Sequence, residues 1–258
     1  MRVLVIGGTE FISLHLVRAL RRDGHTVSAL NRGRQPGRST GRVYDHARPM
    51  PLDEETSRNL FWGEYAELKI AGEDELLRRH RERGLPVTIV RPTHVYGPLN
   101  TRNNETFFFD RLVRGRPILV PGGGWLRQFG HVEDLADAMA AMLGVPAAYG
   151  QAYNVTGEVI VTQVGFVELI ADVMKRPVTL VPASAPGDGE KPAPFGQNLA
   201  YDCHAVYTSG KIRAQLGIRP RFTLASGLAQ TLQWYLREGL DRRDIDFSAE
   251  DALLGRAG

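Results

Sequence analysis

The chain opens with RVLVIGGTEFISLHLVRALRRDGHTVSALNRG, residues 2–33. An apolar run, a Gly-rich turn, an amphipathic stretch and a second apolar run follow one another without a gap. Strand, Gly-rich turn, helix, turn and strand in this order are the pattern of a crossover between two parallel strands. The opening is therefore one βαβ unit, and it commits the fold to the α/β class.

A second pattern carries chemistry. Tyr65 and Lys69 are spaced Tyr-x-x-x-Lys at the head of a stretch that reads as a helix up to Gly84. Residues four apart share one helix face. An ammonium beside a phenol lowers its pKa, and the phenol then passes a proton to or from a substrate oxygen. Thr40 precedes them in the chain, and its hydroxyl would hold that oxygen as the oxyanion-side donor. The bland alternative for the pair alone is a surface Tyr and Lys.

Further stretches follow in order: Ser39-Thr40-Gly41-Arg42-Val43-Tyr44, Val90-Arg91-Pro92-Thr93-His94-Val95-Tyr96-Gly97-Pro98, and Arg127-Gln128-Phe129-Gly130-His131-Val132-Glu133-Asp134. With the triad and the opening turn, the chain resembles the extended short-chain dehydrogenase/reductases, the NAD-dependent epimerase/dehydratase group. GGTEFIS, FGHVEDLA and DIDFSAEDALL look closest to the chloroplast stem-loop-binding-protein branch. The resemblance implies a reduced, doubly wound Rossmann-type parallel sheet with a smaller C-terminal substrate-binding domain. It implies NAD or NADP as cofactor, a nucleotide-sugar or nucleoside-like small molecule as substrate, and Thr40, Tyr65 and Lys69 as catalytic residues. Gly7, Thr9, Glu10, Phe11, Ile12, Arg32 and Lys69 would hold the cofactor, and His94, Asn100 and Arg127 the substrate. A homodimer is expected. From the chloroplast branch comes a second reading, RNA binding. A third is proton-transfer or elimination chemistry without a cofactor, and a fourth a non-catalytic scaffold or dimerising subunit.

The chain departs from the family pattern in three places. The phosphate turn Gly-x-x-Gly-x-x-Gly is here Gly7-x-x-Glu10-x-x-Ser13. A carboxylate at position 10 repels phosphate unless it points to solvent or pairs with an Arg. After the second strand stand Asn31, Arg32 and Arg34 rather than an acid for the ribose hydroxyls. Arginines there suit a 2′-phosphate, hence NADP, or are ordinary surface residues. Third, two strand–helix units and a strand are missing before Ser39. Each unit takes roughly 30 residues, so about 70 are absent, and Gln35-Pro36-Gly37-Arg38 stands in their place. Either the deletion is genuine, or the sequence omits a stretch of the protein.

The expected division is 1–98 with about 131–162 as the nucleotide-binding domain, and 99–130 with about 163–258 as the substrate domain. Arg127 suits a diphosphate because a guanidinium grips phosphate in a bidentate way. His94 reads as a sugar or phosphate ligand or as a satisfied loop histidine. His131 and Asp134 fix backbone and cap the next helix, and Phe107, Phe108 and Phe109 read as core, the alternative being one of them stacked on a base. Residues 182–196 form a Pro- and Gly-rich loop beside the cleft or on the surface.

Composition excludes several classes. No run of about 18 apolar residues suggests a membrane span, and no signal peptide precedes the first strand. The single Cys203 forbids an internal disulfide and suits the cytoplasm. The seven His show no metal-ligand spacing. Net charge is +3, with 28 Arg and 4 Lys. Basic runs such as Arg78–Arg83 are interleaved with acids, which fits a solvated helix face better than nucleic-acid binding.

Overall fold

The computed structural model describes residues 1–6, 11–30, 43–59, 64–100, 104–121, 124–183 and 203–255. Its elements, in chain order, begin with β1 (Arg2–Ile6), α1 (Phe11–Arg22), β2 (Thr26–Leu30), α2 (Glu64–Arg83), β3 (Thr88–Pro92) and β4 (His94–Tyr96). Then come α3 (Glu105–Val113), β5 (Ile118–Pro121), β6 (Leu126–His131), α4 (Val132–Met142), β7 (Gln151–Val155) and β8 (Ile160–Thr162). The last are α5 (Gln163–Met174), β9 (Leu180–Ala183), α6 (Gly210–Leu216), α7 (Leu224–Arg237) and α8 (Ser248–Leu254). None of the described helices is long and apolar enough to cross a membrane.

The chain forms two compact units, and it passes between them within β4 and β6. Unit 1 holds residues 1–95, 128–158 and 205–222; unit 2 holds 96–127, 159–204 and 223–258. The sequence's division ran the second domain unbroken from 163. The structure puts 205–222 with unit 1, because Leu52 donates its N–H to the Val206 carbonyl and accepts from Thr208 N–H. Ala205 and Tyr207 share a core with Val43, Tyr44 and Leu52. These partners lie too far apart in the chain for a local pattern to show.

In unit 1, β1 and β2 pair in parallel as the opening pattern requires, with Arg2 opposite Thr26 and Ile6 opposite Leu30. β3 and β7 form a second parallel pair, Thr88 opposite Gln151 and Pro92 opposite Val155. Among the described residues no strand pairs with both β1 and β3, and the two pairs stand as separate sheets with a break between them. The packing of α1 against α4 bridges the break: Val17, Ala19 and Leu20 meet Ala136, Ala140 and Val5 in one apolar cluster. Small alanines on α4 let the two helices approach closely.

Helix α2 matches its expected span. Glu64 and Glu67 stand in its first turn, and His80, Arg81 and Arg83 in its last, each sign facing the dipole end that favours it. Gly84 follows at φ +67°, the left-handed stop a glycine makes without strain. The Arg-rich face is bound up in i,i+3 and i,i+4 pairs, Arg78 to Glu75 at 2.8 Å and Arg79 to Glu75 at 2.7 Å.

Unit 2 is built on α3, α5 and α7, with β5 and β9 paired in parallel. Phe108 and Phe109 are buried and meet Phe166 and Tyr235 edge to face, at 5.9 and 5.3 Å between ring centroids. Phe108 and Phe109 thus take the core role expected of the run, while Phe107 is half-buried under the Arg111 guanidinium. The C-terminal stretch is tied down by charge: Arg243 pairs with the buried Asp110, and Glu250 of α8 with Arg111.

Candidate functional site

Tyr65, Lys69 and Glu73 are successive members of an i, i+4, i+8 stripe on α2. Glu73 turns inward and takes a forked grip from Arg91 of β3. Arg91 Nε lies 3.1 and 3.2 Å from the two carboxylate oxygens, and Nη2 lies 2.6 Å from Oε2. Arg91 Nη1 donates to the Tyr44 hydroxyl at 2.8 Å, and Tyr44 donates to Asn154 Oδ1 on β7 at 2.7 Å. Asn154 closes the network, its amide Nδ2 donating to the Leu52 carbonyl and its backbone N–H to Glu54 Oε1.

All four side chains are nearly solvent-free. Burial pushes the Tyr44 phenol up to about 12, against the pull of the Arg91 charge. For Arg91, burial opposes the charged form, but the bonds to Glu73 and Tyr44 outweigh it and hold its pKa above the ordinary value. Both groups therefore stay in one protonation state near neutrality. They fasten α2 to the β3–β7 pair, and the stripe carries on from Glu73 to Lys69 and Tyr65.

At the carboxyl end of this pair, where α/β sheets bind ligands, Thr93 and Thr156 share a hydroxyl bond of 2.9 Å. His94 follows, half-buried, its ring 5.9 Å from that of Phe129. Gln128 spans Gly157 and Tyr207, donating to the Gly157 carbonyl at 2.6 Å and accepting from Tyr207 N–H at 2.8 Å. A Cβ on Gly157 would sit 2.5 Å from the Phe129 carbonyl oxygen, so only glycine fits there.

Other predicted residues are placed as follows. Gly7, Thr9, Glu10, Arg32 and Thr40 lie outside the described residues, and of Tyr65 only the backbone, in the first turn of α2, is described. Lys69 is exposed one turn on. Phe11 and Ile12 start α1 and pack their side chains against the cluster around Val95, Val132 and Tyr153. Any contact they make with a phosphate would thus come from their backbone. The first turn of α1 carries no acid.

His94 belongs to unit 1, and Asn100 and Arg127 to unit 2. Arg127 is wholly buried and donates to the carbonyls of Leu126 and Cys203. Asn100 is buried too, its amide 3.4 Å from both oxygens of Glu105. His131 caps α4 by accepting from Glu133 N–H, and Asp134 accepts the N–H groups of Arg221 and Phe222.

Glu105 is the residue that the sequence did not single out. It is fully buried at the start of α3, accepts the Gly97 N–H at 3.1 Å, and is pushed by burial up to about 7. An acid in a first helical turn reads from sequence as a surface partner of the dipole. Its burial comes from the loop at Gly97–Asn100, where Gly97 and Leu99 both take positive φ. Among the described residues no cluster of His, Cys, Asp and Glu is arranged to hold a metal ion.

Residues 37–156 match the family described as NAD dependent epimerase/dehydratase. The chloroplast stem-loop binding protein of 41 kDa b from Arabidopsis thaliana is 28% identical over 323 positions, covering 99% of this chain and 84% of the relative. That span exceeds the chain's 258 residues, so at least 65 of its positions have no residue here. A dTDP-glucose 4,6-dehydratase from Streptomyces niveus is 30% identical over 66% of this chain and 48% of its own length. The chain thus spans about half of that relative. The fold is also that of the UDP-glucose 4-epimerase of Thermotoga maritima: TM-score 0.75 and 18% identity over 93% of this chain and 100% of that one.

Proposed function

We propose that this chain, which carries an NAD dependent epimerase/dehydratase family domain, is an NAD(P)-linked epimerase, dehydratase or reductase. Its substrate is a nucleotide-sugar or nucleoside-like compound, a class suggested by the dehydratase and epimerase relatives. The observation that carries this reading is the lock between Glu73 and Arg91. It holds α2 by the same stripe that presents Tyr65 and Lys69, which a surface Tyr and Lys would not need.

Tyr65 moves the proton at the substrate oxygen, Lys69 keeps its phenol acidic, and Thr40 holds the oxygen from the other side. His94, Asn100 and Arg127 bind or shape the substrate side. The described residues fit a dinucleotide at the head of α1 in that its first turn, from Phe11 on, carries no acid against phosphate; Glu10 just before it would have to turn to solvent or pair with an Arg. Gly7, Thr9, Glu10, Phe11, Ile12 and Arg32 would hold NAD or NADP there, with Lys69 on its ribose. When bound it supplies the transient oxidation of a carbinol. The protein acts in the cytoplasm as a homodimer, a state favoured by the exposed Leu68 and Leu76 on α2.

The test is turnover of UDP-glucose and dTDP-glucose with NAD or NADP, by the native chain and by Tyr65→Phe. The expected result is conversion by the native chain and a loss of about a hundredfold or more in the variant, with unfolding unchanged. Equal turnover would remove Tyr65 from the mechanism. Mass spectrometry of nucleotides released on denaturation should find NAD(H) or NADP(H).

A second reading rests on the chloroplast relative, which covers nearly all of this chain. In it the protein binds stem-loop RNA, and affinity falls steeply between two salt concentrations. A gel shift insensitive to salt, or none, removes that reading.

A further inference from the structure

The break between β1 and β3 has chemically defined walls. Thr26 donates its N–H to the Met1 carbonyl, and this sets the alternation of the β1–β2 ladder. Met1, Val3 and Val5 turn their backbone groups to β2; Arg2, Leu4 and Ile6 turn theirs away. Gly150 donates to the Val87 carbonyl, so Val87, Ile89 and Arg91 face β7, and Thr88 and Val90 face away. Among the described residues no strand takes up these outward groups.

One cleft of about 440 Å³ is lined from both sides of the break, by Arg2 of β1 and by Thr88 and Val90 of β3. Met139, Met142 and Leu143 of α4 and its end also line it. Backbone donors and acceptors left in such an apolar setting are costly unless paired. The relative with at least 65 further positions spans the same chain from end to end, so the shortfall is internal, as is the break.

We propose that this slot is a docking site for an extended segment of another polypeptide, which enters as a strand between β1 and β3. A cleft edged on both sides by backbone donors and acceptors fits a segment free on both of its own edges. The strands of a second folded copy already have neighbours. The lining asks for apolar side chains at alternate positions, facing the methionines of α4. Arg2, a cation in the lining, asks for an acidic residue beside them.

The probe is a fluorescein-labelled EETVTVTVEE amide, read by anisotropy, with hydrogen exchange followed by NMR. Binding is expected to slow exchange of the outward Leu4, Thr88 and Val90 amides by about tenfold or more, while Val3, Val5, Ile89 and Arg91 stay as they are. N-methylation of alternate peptide residues, or replacement of its Val by Ser, should weaken binding about tenfold. Arg2→Pro removes one outward N–H at the start of a strand, where proline is tolerated. Leu143→Glu puts an anion, which repels the acidic peptide, on a lining side chain that is already 40% exposed. Each should weaken binding by about the same factor, and the second keeps the test alive if the first misfolds. Three results overturn the proposal: no binding up to about 1 mM peptide, equal binding of the N-methylated and serine peptides, or protection of the outward amides in the free protein, as its own chain or a second copy would give.

Discussion

Glu73 in unit 1 and Glu105 in unit 2 are the same residue type, each within or beside a helix and each nearly or fully buried. Glu73 meets a guanidinium on its inner side, while Glu105 is met by the Gly97 amide and the Asn100 side chain. Among the described residues no cation pairs with Glu105. Burial therefore raises Glu105 to about 7. The two carboxylates are both buried and differ in the formal charge of their partner. Unit 1 uses an ion pair to set a helix. Unit 2 places a neutral-range titrating group under the loop that bears Asn100.

The strongest way to break the contrast is Glu73→Gln. It leaves Arg91 buried with half of its partner, and the expected loss is about 3–5 kcal/mol in urea unfolding. Activity should fall with it as α2 loosens. A loss below about 1 kcal/mol would mean that Tyr44 and the Glu54 carbonyl suffice for Arg91.

Next comes the pH dependence of Glu105. Its ordinary value is 4.5 and its folded value about 7, so the folded state holds the proton more tightly. Burial carries no penalty below about 4.5; stability then declines as pH rises toward 7 and stays low above it. Glu105→Gln should flatten that decline and make the protein more stable at about pH 8, by something on the order of 3 kcal/mol. Parallel declines in both proteins across pH 5 to 8 would assign the titration to another group.

Asp110 is an intermediate case, buried, bonded by the Tyr235 hydroxyl at 2.8 Å and paired with the partly exposed Arg243. Asp110→Asn keeps an acceptor for Tyr235 and loses only the charge, so about 1–2 kcal/mol is expected from thermal or urea unfolding. The smallest effect is that of Asn100→Ala. It removes one neutral donor from Glu105 and should move the pH-stability inflection upward, with about 1 kcal/mol lost at high pH. An unmoved inflection would leave the Gly97 amide as the bond that counts.

Elements whose causes are local could be read from the sequence. The opening βαβ unit, the end of α2 at Gly84 and the cap at His131 each rest on residues within a turn or two of one another. The core role of Phe108 and Phe109 followed from their number and spacing. Glu105 could not be read, since a first-turn acid looks the same on a surface as beneath a loop. Arg127 reads from the sequence as a phosphate ligand; its burial against the Cys203 carbonyl, which joins residues 76 apart, leaves no local trace. Residues 205–222 join unit 1 through backbone bonds to Leu52, which leave no periodic trace. The Glu73–Arg91 pair joins a helix and a strand 18 residues apart, and the i, i+4, i+8 stripe Tyr65, Lys69, Glu73 is its one trace in the sequence.

The union of three separated stretches in unit 1 has a consequence for how the protein is made. Leu52 leaves the ribosome long before Val206 and Thr208, the residues whose backbone completes its hydrogen bonds. At roughly 5–20 residues per second, the interval is on the order of 10–30 s. Through that time the nascent first half carries open strand edges and an unfinished apolar layer around Tyr44. Its contacts are of high order, so the barrier is the late closing of a long loop, and not the quick βαβ start. A growing chain of this design needs shelter during synthesis more than the finished protein does.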